Sequence, residues 1–315
     1  MWCGLRGAQP ATRIPQLDKG KSMTPNLALT SDQVQRAVAA VKKSKPVYEE
    51  ILNFYGRVFA AQIESMRRLH LEPLQIPDKV RSVKTVAKFP LIEIKQFVYD
   101  KIESGKLFIS ICRLAHEANP KLAGAAQRIL DASEETVAPD ELFTALLSGD
   151  EALFENISAE LEIEKQVLGF ITYNSIKPSL CTCADQLAGY LDQSEPWLLG
   201  NCPVCGSAPI LSILEDEGAR SLTCSFCWYK WPVKRLYCPF CENSDSKLLH
   251  YLFSEEEKDV RVDLCDNCKK YIKTVDSRRV NRLIYPPLEQ ISTLHLDIKA
   301  REEGFEAGVK LFMEM

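Results

Sequence analysis

Four Cys-x-x-Cys units lie close together in the sequence: Cys202/Cys205, Cys224/Cys227, Cys238/Cys241 and Cys265/Cys268. Two residues between cysteines let both sulfurs of a tight turn face one cation, and two such turns complete a tetrahedral four-sulfur site. Eight of the twelve cysteines are used this way, so two metal ions, each bound by four cysteines, are the chemistry to expect. Such a site suits Zn2+ or Fe, and ligand identity does not choose between them. Zinc would make both sites structural clamps, each contributing folding free energy on the order of 10 kcal/mol. Iron would make them redox-active. In Cys-Pro-Val-Cys-Gly (202–206) the proline sets the turn, and Gly206 can accept a positive φ that aims backbone N–H groups at sulfur.

Four pairs can be matched into two sites in three ways, and the segments between them favour one. Eighteen residues separate the first two pairs and 23 the last two. Each gap just accommodates two strands and a turn. Pro209–Leu214 and Arg220–Thr223 flank an acidic turn at 215–218, and Lys247–Phe253 and Val260–Leu264 flank another at 254–258. Closing each hairpin brings its flanking cysteine turns together. Cys202, Cys205, Cys224 and Cys227 are therefore assigned to one ion, and Cys238, Cys241, Cys265 and Cys268 to the other. Interleaved pairing is the remaining alternative. Residues 228–237 read as a shared strand, or a strand and a bend, with Trp228 and Trp231 covering the metal turns.

Upstream of these modules the pattern is helical. Thr30-Ser31-Asp32 are N-cap residues, Pro46 opens a longer helix ending before Pro73, and three- and four-residue apolar spacing returns near 79–88, 91–102, 106–116, 120–132, 139–147, 150–172 and 179–193. The prolines at 90, 120, 139 and 178 punctuate these segments. After Pro286-Pro287 helical spacing resumes, with Leu288, Ile291, Leu294 and Ile298 on one face, then Phe305, Val309 and Phe312. The expected class is α+β: an all-helical N-terminal domain, two small β-rich modules of rubredoxin or zinc-ribbon type, and a C-terminal helix. The boundaries read as a disordered leader over 1–28, a helical domain over 29–196, metal modules over 197–237 and 238–284, and a C-terminal helix over 285–315. Met23 is an alternative start.

Composition narrows the function. The chain has 315 residues, net charge −4 and 26% charged residues. From 201 to 276, ten Lys and Arg face twelve Asp and Glu, a net of −2, and both hairpin tips are acidic. Nucleic-acid binding, which needs clustered cations, is disfavoured; the run from Lys269 to Lys273 reads as a solvated edge. The longest uncharged run, 196–214, contains three prolines and cannot span a membrane. The N-terminus lacks the pattern of a secretory signal, so the expected compartment is cytoplasmic and the paired cysteines read as ligands rather than disulfides. His70, His116 and His250 stand alone, and Cys112 and the Cys181-Thr-Cys183 pair read as core. No catalytic motif is present, and no catalytic residue or cofactor-binding residue other than the metal ligands is assigned.

The phrases around the cysteines resemble the formate dehydrogenase accessory protein FdhE. They are CPVCGSAPILS at 202–212, the second pair followed by Trp231, CPFCE at 238–242, CDNCKKYIK at 265–273 followed by Asp276, and LHLDIKAREEGF at 294–305. The resemblance covers about 195–305. It implies a non-enzymatic, chaperone-like maturation factor that binds the catalytic subunit of formate dehydrogenase through a helical domain and two rubredoxin-like modules, with iron implicated as the bound metal. The alternatives are a rubredoxin-type electron carrier and a nucleic-acid-binding zinc ribbon.

Overall fold

The computed structural model describes residues 2–7, 29–135, 138–191 and 196–309. Its helices are α1 Ser31–Ser44, α2 Glu49–Met66, α3 Asp78–Ala87, α4 Lys101–His116, α5 Pro120–Glu135, α6 Pro139–Ser148, α7 Glu151–Glu160, α8 Lys165–Ala188, α9 Pro286–Ile291 and α10 Leu294–Glu302. Its strands are β1 Trp2–Gly7, β2 Pro209–Leu214, β3 Arg220–Cys224, β4 Lys230–Val233, β5 Leu249–Ser254, β6 Val260–Cys265, β7 Lys270–Asp276 and β8 Glu306–Ala307. The helical N-terminal part and the sheet-bearing C-terminal part form the α+β arrangement expected from the sequence. The chain divides into two compact units. One comprises Asn26–Gln75, Ile92–Leu187 and Leu311–Met315; the other comprises Met1–Pro25, Ile76–Leu91 and Ala188–Lys310.

In the helical unit, Thr30 and Gln33 form a reciprocal capping box that starts α1. Phe54, Tyr55 and Phe59 of α2 meet Phe170 of α8 in an aromatic cluster with ring centroids 5.2–5.9 Å apart. Two sequence expectations fail here. The segment 91–102 is not a helix. It makes a single 3-10 turn, Ile94–Gln96, and then runs extended until the Asp100 carboxylate accepts the Glu103 N–H at 3.0 Å and starts α4. Pro178, read as a break, lies inside the continuous and almost wholly buried α8. A proline there deprives the Asn174 carbonyl of its helical donor. Gln62 Nε2 donates to that carbonyl at 2.9 Å, which lets the helix continue.

The other unit is built on one eight-stranded sheet with order β1-β5-β6-β7-β2-β3-β4, and β8 pairs with β7. The hairpins β2–β3 and β5–β6 fall where the sequence places them. They are joined by a feature it does not show: β2 pairs in parallel with β7, Leu211 opposite Lys273 and Leu214 opposite Asp276. Both cysteine modules therefore share one sheet. Leu211, Val262, Leu264, Val275, Leu296 and Phe305 form its core cluster. Within the stretch read as a disordered leader, Trp2–Gly7 form β1 along the edge of β5; the rest of that leader lies outside the described residues. The C-terminal segment is two helices rather than one. Thr293 Oγ1 donates to the Glu289 carbonyl at 2.6 Å and the chain turns there. The break rotates the expected face, so Leu288 and Ile291 are buried while Leu294 and Ile298 are exposed and Leu296 and Ala300 point inward. Phe312 lies outside the described residues.

Candidate metal centres

The hairpins place the cysteines. Cys202 and Cys205 occupy the turn before β2, Cys224 ends β3, and Cys227 lies in the turn leading to β4. Their four sulfurs all lie within 4.8 Å of one another, as do those of Cys238, Cys241, Cys265 and Cys268. Neighbouring pairs are thus brought together, not interleaved ones. Sulfur–sulfur separations are 3.5 Å for Cys205–Cys224, 3.6 Å for Cys205–Cys227 and 3.7 Å for Cys202–Cys227. In the second cluster Cys238–Cys268 and Cys241–Cys265 are both 3.6 Å apart. A tetrahedron with metal–sulfur bonds of about 2.3 Å has edges of about 3.8 Å. Each cluster has the size of one metal ion.

The surroundings fit thiolates. The N–H groups of Phe226 and Cys227 donate to Cys224 Sγ at 3.3 and 3.4 Å. In the second cluster the Asn267 side chain donates to Cys241 Sγ at 3.3 Å. Burial pushes the Cys202 and Cys227 thiols well up, whereas hydrogen bonds from Cys202, Cys224 and Cys227 draw Cys205 well down. Burial raises Cys238 and Cys268; it would also raise Cys241, but bonds from Asn267 and from the Asn243 backbone bring that thiol to about 7. Four sulfurs this close share negative charge only when a cation neutralises it. The first cluster is buried throughout, while Cys241 and Cys268 are half-buried.

The four turns share a backbone feature of which the sequence disclosed one case. The residue after the second cysteine is left-handed in each: Gly206 (φ 78°), Trp228 (φ 62°), Glu242 (φ 61°) and Lys269 (φ 56°). Its N–H bonds back to the carbonyl of the first cysteine at 2.9 Å for Gly206 and Glu242 and 2.8 Å for Lys269. Glycine takes this conformation without strain, and the other three carry it at a cost of order 1 kcal/mol or more. Gly200 serves a different end. A Cβ there would stand 1.9 Å from the Pro239 carbonyl oxygen, so only glycine lets the second knuckle approach.

Charged residues that the sequence left unassigned tie the modules together. Arg220, buried on β3, donates through Nε to Ser212 Oγ (2.8 Å) and through its terminal nitrogens to the carbonyls of Tyr237 (2.7 Å) and Arg235 (3.3 Å) and to Asp263 (3.3 Å). Tyr237 directly precedes Cys238, so one side chain of the first module holds the approach to the second centre. Arg261 and Thr274 also hold Asp263, at 2.8 and 2.7 Å. Lys273, expected on a solvated edge, is buried; it donates to Asp297 at 2.6 Å and to the Gln290 carbonyl at 2.9 Å. Trp228 and Trp231 are buried rather than displayed. Cys112, Cys181 and Cys183 are buried in the helical unit, where burial raises Cys112 to about 12 and Cys183 to about 11. His250 pairs with Asp266 at 2.7 Å.

Fold and site together define a helical protein carrying two tetracysteine modules on one shared sheet. Residues 201–235 match the family model for the FdhE central domain and residues 236–313 that for the FdhE C-terminal domain. An FdhE homolog of Aquifex aeolicus is 37% identical over half of this chain and 56% of its own length, and one of Haemophilus influenzae is 34% identical over 36% and 39%. The matched stretch thus spans about half of these relatives or less. An FdhE homolog of Pectobacterium atrosepticum is 27% identical over 81% of this chain and 78% of its own. The crystal structure of the FdhE protein from Pseudomonas aeruginosa shares the fold, with TM-score 0.67 and 17% identity over 95% of this chain and 98% of that one. The chain belongs to the FdhE family.

Proposed function

We propose that this chain is an accessory factor for the maturation of formate dehydrogenase, that it binds the catalytic subunit of that enzyme, and that each tetracysteine cluster holds one zinc or iron ion. Family membership supports the accessory role. The observation that carries the reading is that two complete four-sulfur sets stand within the FdhE-like region, 201–313. Four protein sulfurs fill a tetrahedron and leave no position for a substrate, which favours a structural metal and a non-enzymatic protein. The residues that would hold the ions are Cys202, Cys205, Cys224 and Cys227, and Cys238, Cys241, Cys265 and Cys268. The metal's part is to neutralise the thiolates and fasten each hairpin. The backbone N–H groups at 226 and 227 and the Asn267 amide keep the sulfurs oriented. Reduced thiols suit the cytoplasm. No helix among the described residues is long and apolar enough to cross a membrane.

The test is recovery of the formate dehydrogenase catalytic subunit on the tagged, metal-loaded chain. Wild type retains it and Cys238→Ser loses most of it. Equal recovery by both refutes a metal-supported binding surface, and no recovery by wild type refutes the partner. Partial exposure of Cys241 and Cys268 favours electron transfer as the second reading. Protein purified without oxygen that contains zinc alone would rule that out.

A further inference from the structure

Helix α3 is built inside out. Arg81, Lys84, Thr85 and Lys88 repeat at helical spacing and form its partly buried face. Val80, Val83 and Val86 lie on the opposite side, 43%, 65% and 82% exposed, and Phe89 just beyond is 62% exposed. No residue of the helix is buried. Valine is a modest helix former, and a contiguous apolar strip facing water marks a surface built for a partner.

The helix is fastened to the metal-bearing unit. Lys84 Nζ donates to the Leu91 carbonyl at 2.8 Å, and the Leu91 N–H donates to the Pro203 carbonyl, inside the Cys202–Cys205 turn, at 2.9 Å. Pro90 stands 3.0 Å from where a Cβ on Gly206 would be. The strip is thus held against the first centre although it precedes it by more than a hundred positions in the chain.

Charge decides the occupant. From 76 to 91 the chain carries four cations (Lys79, Arg81, Lys84, Lys88) and one acid (Asp78), an excess of three in a protein of net charge −4. Exposed Lys79 borders the valines. A second copy docked by two-fold symmetry would set these cations against their own duplicates. A membrane surface calls for bulkier anchors than three valines and one phenylalanine on a ten-residue helix. We propose that the Val80–Val83–Val86–Phe89 strip is the docking surface for an acidic-rimmed apolar strip on the catalytic subunit. This rests on the function proposed above and locates its contact.

The experiment uses full-length, metal-loaded protein and three probes: the purified catalytic subunit, anionic phosphatidylserine vesicles, and the protein itself by sedimentation. Val83→Asp/Val86→Asp weakens binding to the subunit at least about a hundredfold, about tenfold for each buried valine. Lys79→Glu weakens it severalfold and flattens its salt dependence. Both variants keep wild-type metal content and circular dichroism, because the replaced side chains are exposed. Wild-type affinity in both variants overturns the docking surface and leaves the accessory role standing. No binding by the wild type overturns both. Loss of vesicle binding or of self-association in the variants, with subunit affinity intact, makes a membrane or a second copy the occupant and overturns the proposal.

Discussion

Replacing Arg220 by methionine removes a buried cation while keeping most of its volume. Four acceptors lose a donor: Ser212 Oγ, the Arg235 and Tyr237 carbonyls and Asp263. Ser212 can rotate, and Asp263 keeps Arg261 and Thr274. The uncompensated loss falls on the Tyr237 carbonyl, at about 1–3 kcal/mol for a buried group left unpaired. Breaking the ion pair from one side brings the total to about 3–5 kcal/mol. The location of the effect is more telling than its size. Arg220 lies on the first module, but the carbonyl it holds precedes Cys238, so the second centre should loosen first. The assay is chelator challenge of metal-loaded protein followed by alkylation and peptide mapping. Cys238, Cys241, Cys265 and Cys268 become reactive sooner in Arg220→Met than in wild type, ahead of Cys202 and Cys227. Thermal melting reads the stability loss, and Arg220→Lys falls between. Unchanged reactivity at Cys238 and Cys268, with a loss below about 1 kcal/mol, refutes the coupling argument.

Three further outcomes are expected. Cys205→Ser releases the first metal, whose binding stabilises by roughly 10 kcal/mol; limited proteolysis then cuts 196–309 well before the helical unit, and equal resistance of both would contradict this. Gln62→Ala costs about 1–3 kcal/mol by leaving the Asn174 carbonyl unpaired, and less in a Pro178→Ala background, where the restored N–H serves that carbonyl; a double-mutant cycle in denaturant with no coupling sinks this account. Burial lowers Lys177 to about 8, so its charge opposes folding below that pH and ceases to do so as pH passes about 10.4, where the unfolded lysine also becomes neutral. Lys177→Met therefore raises helical-unit stability by about 1–3 kcal/mol at pH 7, and the gain shrinks between pH 8 and 10 when followed by helical ellipticity.

The cysteine turns were legible because their chemistry is local: two intervening residues, a glycine or proline to shape the turn, and a gap that just fits a hairpin. Helices with an amphipathic stripe, such as α1, were legible for the same reason. Pro178 misled, since whether a proline breaks a helix depended on Gln62, which lies 112 positions before the Asn174 carbonyl it serves. The segment 91–102 misled because its apolar spacing says nothing about Asp100 claiming the start of the next helix. The end of the chain misled where Thr293 bonds back to Glu289 and shifts the face. Arg220 and Lys273 were missed because a buried cation reads like any surface cation until its partners from other strands are known.

The parallel pairing of β2 with β7 bears on how the protein is made. Synthesis delivers the first hairpin with one edge of β2 bare, and at roughly 5–20 residues per second several seconds pass before β7 can cover it. During that interval Cys202, Cys205, Cys224 and Cys227 are all present, while the strand that completes their sheet is still being synthesised. Metal captured early would pin β2 and β3 in register before the nascent chain can mispair. The ion's first service is then kinetic, as a placeholder for a strand that has not yet emerged from the ribosome.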